Sequence, residues 1–583
     1  MAFSKRIVAV LATLALSFSA IPSQATGQIN TKYVEGTDPA AAMYNPLVVN
    51  TFDLVLPQST INGLNGTTNY WGDEGPYLPA KLSGVINGVP FASMDVGIHL
   101  KGAWGSWRNI YGKAGFKIKI DFVKKTQTLF GVTKLTLNNM VQDHSSSHET
   151  LSYRLFRAIG VPTARTGYAN VTVNGANYGL HLNIETLDTK LLSHWGITPS
   201  HIYKGGVPNF PDLWPGQESA FAVDQGSTTD KTDLTALMAV VGRGNGPNWF
   251  TDMSRVADLE EMTLDWAAEK FTGHWDGYAN NRNNYYLVNR QDGKFIMLPW
   301  GMDQTLNGGL DYWSGNAMVS QCLNDTRCQN LYKQALVKVI HTAKDLNLPQ
   351  LSTDATAVIN PVLQADPKKE FDFNEAPGLQ SAARSFIQSQ IANGLAMVAS
   401  YDPTLKTFTA AGQATYNSSD VMTVPYTTKT IQLTGTAFAN NATVTPSAST
   451  PLNLGLNTIP LLVTLNSSQI SKTSYVKVYR MSSFTKSTNI SFAANSTTLS
   501  SAATKLVSAL GESAANSSHA ILTIKMQPPA VLSAVKQVAL IRARGQKIQA
   551  LLTSLGIAPE RVSLVITTVK GANTVSVTLN YQR

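Results

Sequence analysis

The chain has 583 residues, with 46 Lys and Arg, 37 Asp and Glu, nine His and two Cys. Its length allows roughly three or four domains of about 150 residues. A hydrophobic content of 43% excludes a disordered chain, and 42 Gly with 26 Pro are too dilute for a fibrous one. The formal charge of +9 divides unevenly, with +12 on residues 405–583, where Asp420, Glu512 and Glu560 are the only acids, and −3 on the rest. That excess is diffuse, without Lys or Arg runs, so it argues against nucleic acid; an anionic cell-envelope polymer or a merely soluble surface remain.

In chain order, Lys5 and Arg6 precede an uncharged stretch, 7–21, and then Pro22-Ser23-Gln24-Ala25. This is the pattern of a signal peptide, 1–25, cleaved near Ala25, and it directs the chain to a secreted or cell-envelope location. The stretch falls short of the roughly 20 apolar residues of a membrane anchor, and no later segment reaches that length. In such an oxidising compartment Cys322 and Cys328 read as a short-loop disulfide; with no other thiol and no His near in sequence, a metal site is the poorer reading.

Residues 26–100 read as short strands between Gly, Asn and Pro turns, and the alternation in Phe116-Lys117-Ile118-Lys119-Ile120-Asp121 continues them. A helix is expected at 147–159, where Leu151, Leu155, Phe156 and Ile159 share a face. A hairpin follows, 168–173 and 178–184, turning at Asn174-Gly175. Further helices are expected near 255–272, 328–346 and 378–399. Beyond about 405 the composition shifts. Residues 406–481 read as a small β-sandwich and 482–583 as an α+β unit, with helices near 500–511 and 531–555 and strands at 520–525, 562–568 and 573–580. The fold class is therefore multidomain: an α+β domain over 26–405, a β-sandwich, and a second α+β domain.

The densest chemistry lies at 274–305. His274-Trp275-Asp276 is followed by Asn280, Asn281, Asn283 and Asn284, a hairpin turning near Gly293, and Trp300-Gly301-Met302-Asp303. The hairpin returns Asp303 to the end of the strand pair where the Asn cluster sits. Carboxylate and amide oxygens suit a hard cation such as Mg²⁺, which takes substrate phosphates as further ligands. An acceptor Asp, an Asn for metal and a second Asp after a hairpin parallel protein-kinase logic. The same residues also read as ordinary polar turn formers.

Residues 50–345 resemble the CotH kinase family, secreted and spore-coat proteins with an atypical protein-kinase fold. The matching stretches include Gly97-Ile98-His99-Leu100-Lys101-Gly102, Tyr111-Gly112-Lys113 and His148-Glu149-Thr150-Leu151-Ser152-Tyr153-Arg154. Tyr178-Gly179-Leu180, Asn283-Asn284-Tyr285-Tyr286 and Leu298-Pro299-Trp300 follow in the same order. The resemblance implies phosphoryl transfer from ATP, with Mg²⁺, to Ser/Thr hydroxyls of secreted or envelope proteins. It implies Asp276 as catalytic base, Asn284 and Asp303 as metal ligands, and Lys113 and Glu185 as nucleotide-binding residues. Lys113 also reads as a surface lysine in a Gly-rich turn, and Glu185 as a helix-start carboxylate. Gly301 replaces the first Asp of the family's Trp-Asp-x-Asp pattern, so a non-catalytic, pseudokinase envelope protein stands as the alternative.

In the tail, Leu452-Asn453-Leu454-Gly455-Leu456-Asn457 is similar to cadherin-like β-sandwich repeats. Asn489-Ile490-Ser491-Phe492, Arg542-Ala543 and Leu555-Gly556-Ile557 resemble the OmpA-like peptidoglycan-binding domain. That resemblance implies Arg542 as a wall contact. The segment 526–535 lacks the family's Asp and Asn573 lacks its following arginines, so a weak peptidoglycan contact and a spacer domain both remain open.

Overall fold

Alternating burial along short β-branched runs builds the first half of the chain. The computed structural model describes residues 36–66, 75–466, 470–527, 534–566 and 574–582; the expected signal peptide, 1–25, lies outside them. β1 (Val49–Val55) buries Phe52 and Leu54 on one face. After α1 (Gln58–Gly66) come β2 (Leu78–Ile86), β3 (Val89–Lys101), β4 (Gly115–Lys119) and β5 (Lys134–Asn138). Next are α2 (His148–Ile159), β6 (Thr166–Val173) and β7 (Ala176–Ile184). The strands close a barrel in the order β1-β2-β3-β4-β5-β7-β6. Parallel pairing of β1 with β6, Val49 opposite Tyr168, seals it and leaves no edge strand. Phe52, Leu82, Ile98, Phe116, Ile118, Leu137 and Val171 belong to its core.

α2 buries Leu151, Leu155, Phe156 and Ile159, the face its periodicity predicts. It ends on Gly160, whose φ of 97° only glycine adopts freely, with its N–H on the carbonyls of Arg157 and Phe156. α1 is absent from the sequence reading, which has strands alone over 26–100. It buries just Thr60 and Leu64, too few apolar positions to show a helical period.

α3 (Thr189–His194), β8 (Pro199–Gly205), β9 (Ala222–Gln225), α4 (Thr232–Gly242), α5 (Trp249–Val256) and α6 (Leu259–Thr272) lead to the hairpin of β10 (Tyr285–Arg290) and β11 (Phe295–Pro299). These strands form a second sheet in the order β11-β10-β8-β9. α7 (Ala317–Asn324), α8 (Thr326–Leu346), α9 (Leu348–Gln364) and α10 (Ala376–Val398) complete the helical half. The sequence reading places no helix between 346 and 378, yet α9 fills most of that interval. Pro349 stands in its first turn, where no backbone donor is lost, and Pro361 in its last. Cys322 of α7 is bonded to Cys328 of α8. Among the described residues no helix is long and apolar enough to cross a membrane.

The chain divides into two compact units at Met397/Val398. The second contains two hydrophobic cores. One gathers Leu405, Phe408, Met422, Ile459, Val463, Val476 and Val478 between a three-stranded and a four-stranded sheet. The other packs helices Ser501–Ala515 and Ala534–Ser554 on a four-stranded sheet, with Val507, Ile548, Leu522 and Val577 inside.

Candidate functional site

Helix α6 aims the loop that carries Asp276. The Asp258 side chain caps its start by accepting from Glu261 N at 3.2 Å. Gly273, with φ of 68°, ends it and turns the chain sharply into His274. Buried Glu269 then accepts from the backbone N–H of Tyr278 at 3.0 Å and of Ala279 at 2.7 Å. Lys270 Nζ donates to the Ala279 carbonyl at 3.2 Å. His274 Nε2 donates to the Trp300 carbonyl at 3.1 Å, which ties the loop to the end of β11. Burial holds this imidazole at a pKa of about 4, so it is neutral.

The Asp276 carboxylate takes three amide donors: Asn281 at 2.6 Å, Asn283 at 3.0 Å and Asn284 at 2.8 Å. Burial raises its pKa, and the Asn281 and Asn283 hydrogen bonds oppose that rise. Antiparallel pairing of Tyr285 with Pro299 brings Asn284 beside Trp300, whose N–H donates to the Asn284 carbonyl at 2.9 Å. Asp303 follows, its carbonyl accepting from His148 Nδ1 at 3.0 Å.

Asp276, Asn284 and Asp303 thereby line one cavity of about 400 Å³. Its other walls come from far away in sequence. Lys101 ends β3, the loop 102–106 follows it, Lys117 lies on β4, Glu149 on α2 and Lys204 on β8. No local pattern marks Glu149 as a site residue, because a carboxylate in a helix's first turn is common there. Here it is buried, with Oε2 accepting from Asn138, and Oε1 has no hydrogen-bond partner. Burial and then the nearby Asp303 push its pKa up to about 8. The Asp303 carboxyl is itself raised by burial, opposed by Lys101. Lys101 Nζ also reaches Asn138 Oδ1 at 3.4 Å. Two destabilised carboxylates with an unused oxygen constitute a place where a cation would lower the energy of both. Among the described residues no group of three His, Cys, Asp or Glu side chains is arranged to hold a metal by itself. An ion would therefore draw on Asn284, water and ligand oxygens as well.

Lys113 and Glu185 are not brought to this cavity. Lys113 is also no surface lysine: it is 3% exposed, with Nζ 2.5 Å from Asp366 Oδ2 and 3.4 Å from the Tyr178 carbonyl. Burial lowers its pKa to about 8 despite Asp366. Glu185 is buried against Arg165, accepting from Nε at 2.9 Å and Nη2 at 2.7 Å. It does not start a helix, because α3 begins on its own cap, Asp188. Both residues are committed to partners within the fold, and the cations facing the cavity are Lys101, Lys117 and Lys204. Gly301 has φ of 53°, and a Cβ there would lie 2.7 Å from the Asn284 carboxamide. In the tail Arg542 is exposed. The buried arginine of that helix is Arg544, which donates to the carbonyls of Ser496 at 2.8 Å and Ala493 at 2.9 Å. Asn573 and most of 526–535 lie outside the described residues.

Comparison with known proteins matches residues 98–390 to the family described as CotH kinase protein. That span is just over half of the chain, and the chain belongs to this family. It is 22% identical over 282 residues to "Inner spore coat protein H" of Bacillus subtilis (strain 168), covering 43% of this chain and 77% of that protein. Among solved structures, the OmpA-like domain of FopA1 from Francisella tularensis subsp. tularensis SCHU S4 is 14% identical, covering 17% of this chain and 76% of that one. Its TM-score is 0.16, too low to carry an argument.

Proposed function

We propose that this CotH kinase family member is an exported phosphotransferase. In this reading it moves the γ-phosphoryl group of ATP, with Mg²⁺, to Ser/Thr hydroxyls of secreted or envelope proteins. The observation that carries the reading is the convergence of Asp276, Asn284, Asp303 and Glu149 with three lysines in one cavity. Its volume falls in the range of small-ligand sites. Asp276, held by the amides of Asn281, Asn283 and Asn284, accepts the proton of the acceptor hydroxyl as the new O–P bond forms and the bond to the ADP oxygen breaks. Lys101 and Lys117 neutralise phosphate charge from the barrel side. Asp303, Glu149 and Asn284 are the oxygen donors that would hold Mg²⁺, and the unpartnered Glu149 Oε1 fits that role. When bound, the ion supplies charge neutralisation between phosphate oxygens.

Export is supported by the N-terminal charge and apolar pattern and by a relative whose name places that protein in a spore coat. The +12 tail then makes weak contact with peptidoglycan, in which exposed Arg542 takes part. The decisive experiment is transfer of labelled γ-phosphate from Mg·ATP to a Ser/Thr acceptor or to the chain itself. Asp276→Ala and Asp303→Ala should each abolish it, and equal labelling in wild type and both variants would sink the assignment.

A second reading, a non-catalytic nucleotide- or partner-binding protein, is favoured by Gly301 and by the full set of amide donors already on Asp276. Melting with and without Mg·ATP separates the cases. Ligand at 100 times its Kd stabilises by about 2.7 kcal/mol, and the absence of any shift up to millimolar ATP leaves only partner binding.

A further inference from the structure

The connection between α9 and α10, residues 365–375, lies against the 102–114 loop that joins β3 to β4 and supplies a cavity wall. The Asp366 carboxylate accepts from Lys113 Nζ at 2.5 Å, from Leu180 N at 2.9 Å and from Lys368 N at 2.8 Å. It occupies the space that a Cβ at Gly179 would need, and Gly179 has φ of 97°. Arg108 grips Glu370 through Nε and Nη2, each at 2.7 Å. Lys368 Nζ donates to the Tyr111 carbonyl. Tyr178 Oη sits 2.9 Å from the Ile110 carbonyl and 2.7 Å from that of Gly112, and accepts from Ala114 N at 3.1 Å. Farther along, Phe371 stacks on His144 at 4.3 Å. His144 belongs to the connection that carries the cavity residue Gln142 and leads into α2 and Glu149.

These contacts converge on the loop that carries the wall, and Arg108 extends them into it, Nη1 donating to the carbonyls of Gly105 at 3.0 Å and Trp107 at 2.8 Å. The cavity-facing stretch contains Gly102 and Gly105 at φ of 123° and 85°, a backbone with high conformational freedom. It is anchored on the barrel side by Asn139, which donates to the carbonyls of Ser106 at 2.8 Å and Lys113 at 2.7 Å. A buried ion pair such as Lys113–Asp366 gains little net stability, because desolvation offsets the attraction. Its strict geometry, however, leaves one position for the loop.

We propose that segment 365–375 is a clasp that positions the 102–106 wall over the donor phosphates. Lys113, Asp366, Arg108 and Glu370 are then positioning residues, not ligands. The role toward the donor rests on the phosphotransferase reading above, whereas the ordering of the loop does not. The half-exposed pair gives the cleanest test, as a charge swap in the full chain: Arg108→Glu, Glu370→Arg, and both together. Amide hydrogen exchange over 102–113 reports loop order, and the KM for ATP against kcat reports function. Each single variant should speed exchange and raise KM by about fivefold, the scale of one well-formed partly exposed pair, with kcat changed by less than about twofold. The double variant should restore part of both, because Arg108 Nη1 also donates to the carbonyls of Gly105 at 3.0 Å and Trp107 at 2.8 Å, which a carboxylate at 108 cannot do. Single variants that exchange like wild type while folded, or a double variant that restores nothing, would overturn the clasp. Lys113→Met gives a second check, since a positioning role weakens Mg·ATP binding severalfold but a ligand role abolishes it. If wild type transfers no phosphate, the transfer reading fails and the exchange measurement alone decides the clasp.

Discussion

Placing a carboxylate at position 301, where the family pattern has one, should damage the site and not complete it. Gly301→Asp first puts a side chain on a backbone at φ of 53°, which costs about 1–2 kcal/mol for an L-residue. Its Cβ would then sit 2.7 Å from the Asn284 carboxamide. That carboxamide cannot give way freely, because its Nδ2 donates to Asp276 at 2.8 Å. Displacing it forfeits a hydrogen bond to a charged group, about 1.5–3 kcal/mol. The new carboxylate also joins Asp276, Asp303 and Glu149 in a cavity where burial already raises all three pKa values. We expect a loss on the order of 3 kcal/mol in urea melts and slower phosphoryl transfer, with Gly301→Ala sharing most of the stability loss. If Gly301→Asp keeps wild-type stability within about 0.5 kcal/mol and transfers phosphate faster, then position 301 has room for a ligand and the crowding argument is wrong.

Glu149 predicts a pH dependence. Its carboxyl is raised from 4.5 to about 8, so between those values the folded state binds the proton more tightly than the unfolded state. Stability of the ligand-free protein should therefore fall as pH rises through that window. Glu149→Gln should flatten that part of the thermal-melt profile, and parallel profiles for the two proteins would contradict the assignment. Glu269→Gln places an amide NH₂ against one of the two buried N–H groups, Tyr278 or Ala279, that Glu269 now accepts. About 1–3 kcal/mol of stability should be lost, with a lower kcat as the Asp276 loop loosens; unchanged melts and kcat would show the loop to be held by other contacts. Pelleting of the full chain with peptidoglycan should occur at low salt and mostly vanish by about 0.5 M NaCl, because exposed charges are screened beyond about 8 Å already at physiological ionic strength. Salt-resistant pelleting that Arg542→Ala abolishes would instead reveal a specific anchor.

How much of this was legible in the chain follows from how far apart the interacting residues lie. The 168–184 hairpin, the buried face of α2 and the return of Asp303 to the Asn cluster are set within about thirty residues. There a period, an Asn-Gly turn or a strand register decides the outcome, and all three are readable from the sequence. Even locally, α9 is masked by its prolines, Pro349 in the first turn, where no donor is lost, and Pro361 inside the helix, where one is. The surroundings of Lys113 and Glu185 are not readable in the sequence. Each takes a partner that no local pattern announces: Asp366, on the α9–α10 connection, and Arg165, just before β6. The same holds for Glu149, an ordinary first-turn carboxylate until the barrel and the helical half bury it beside Asp303. Hydrophobic period and turn chemistry act between neighbours along the chain. The state of a charged group depends on which other charges share its low-dielectric surroundings, and only the folded chain brings those together.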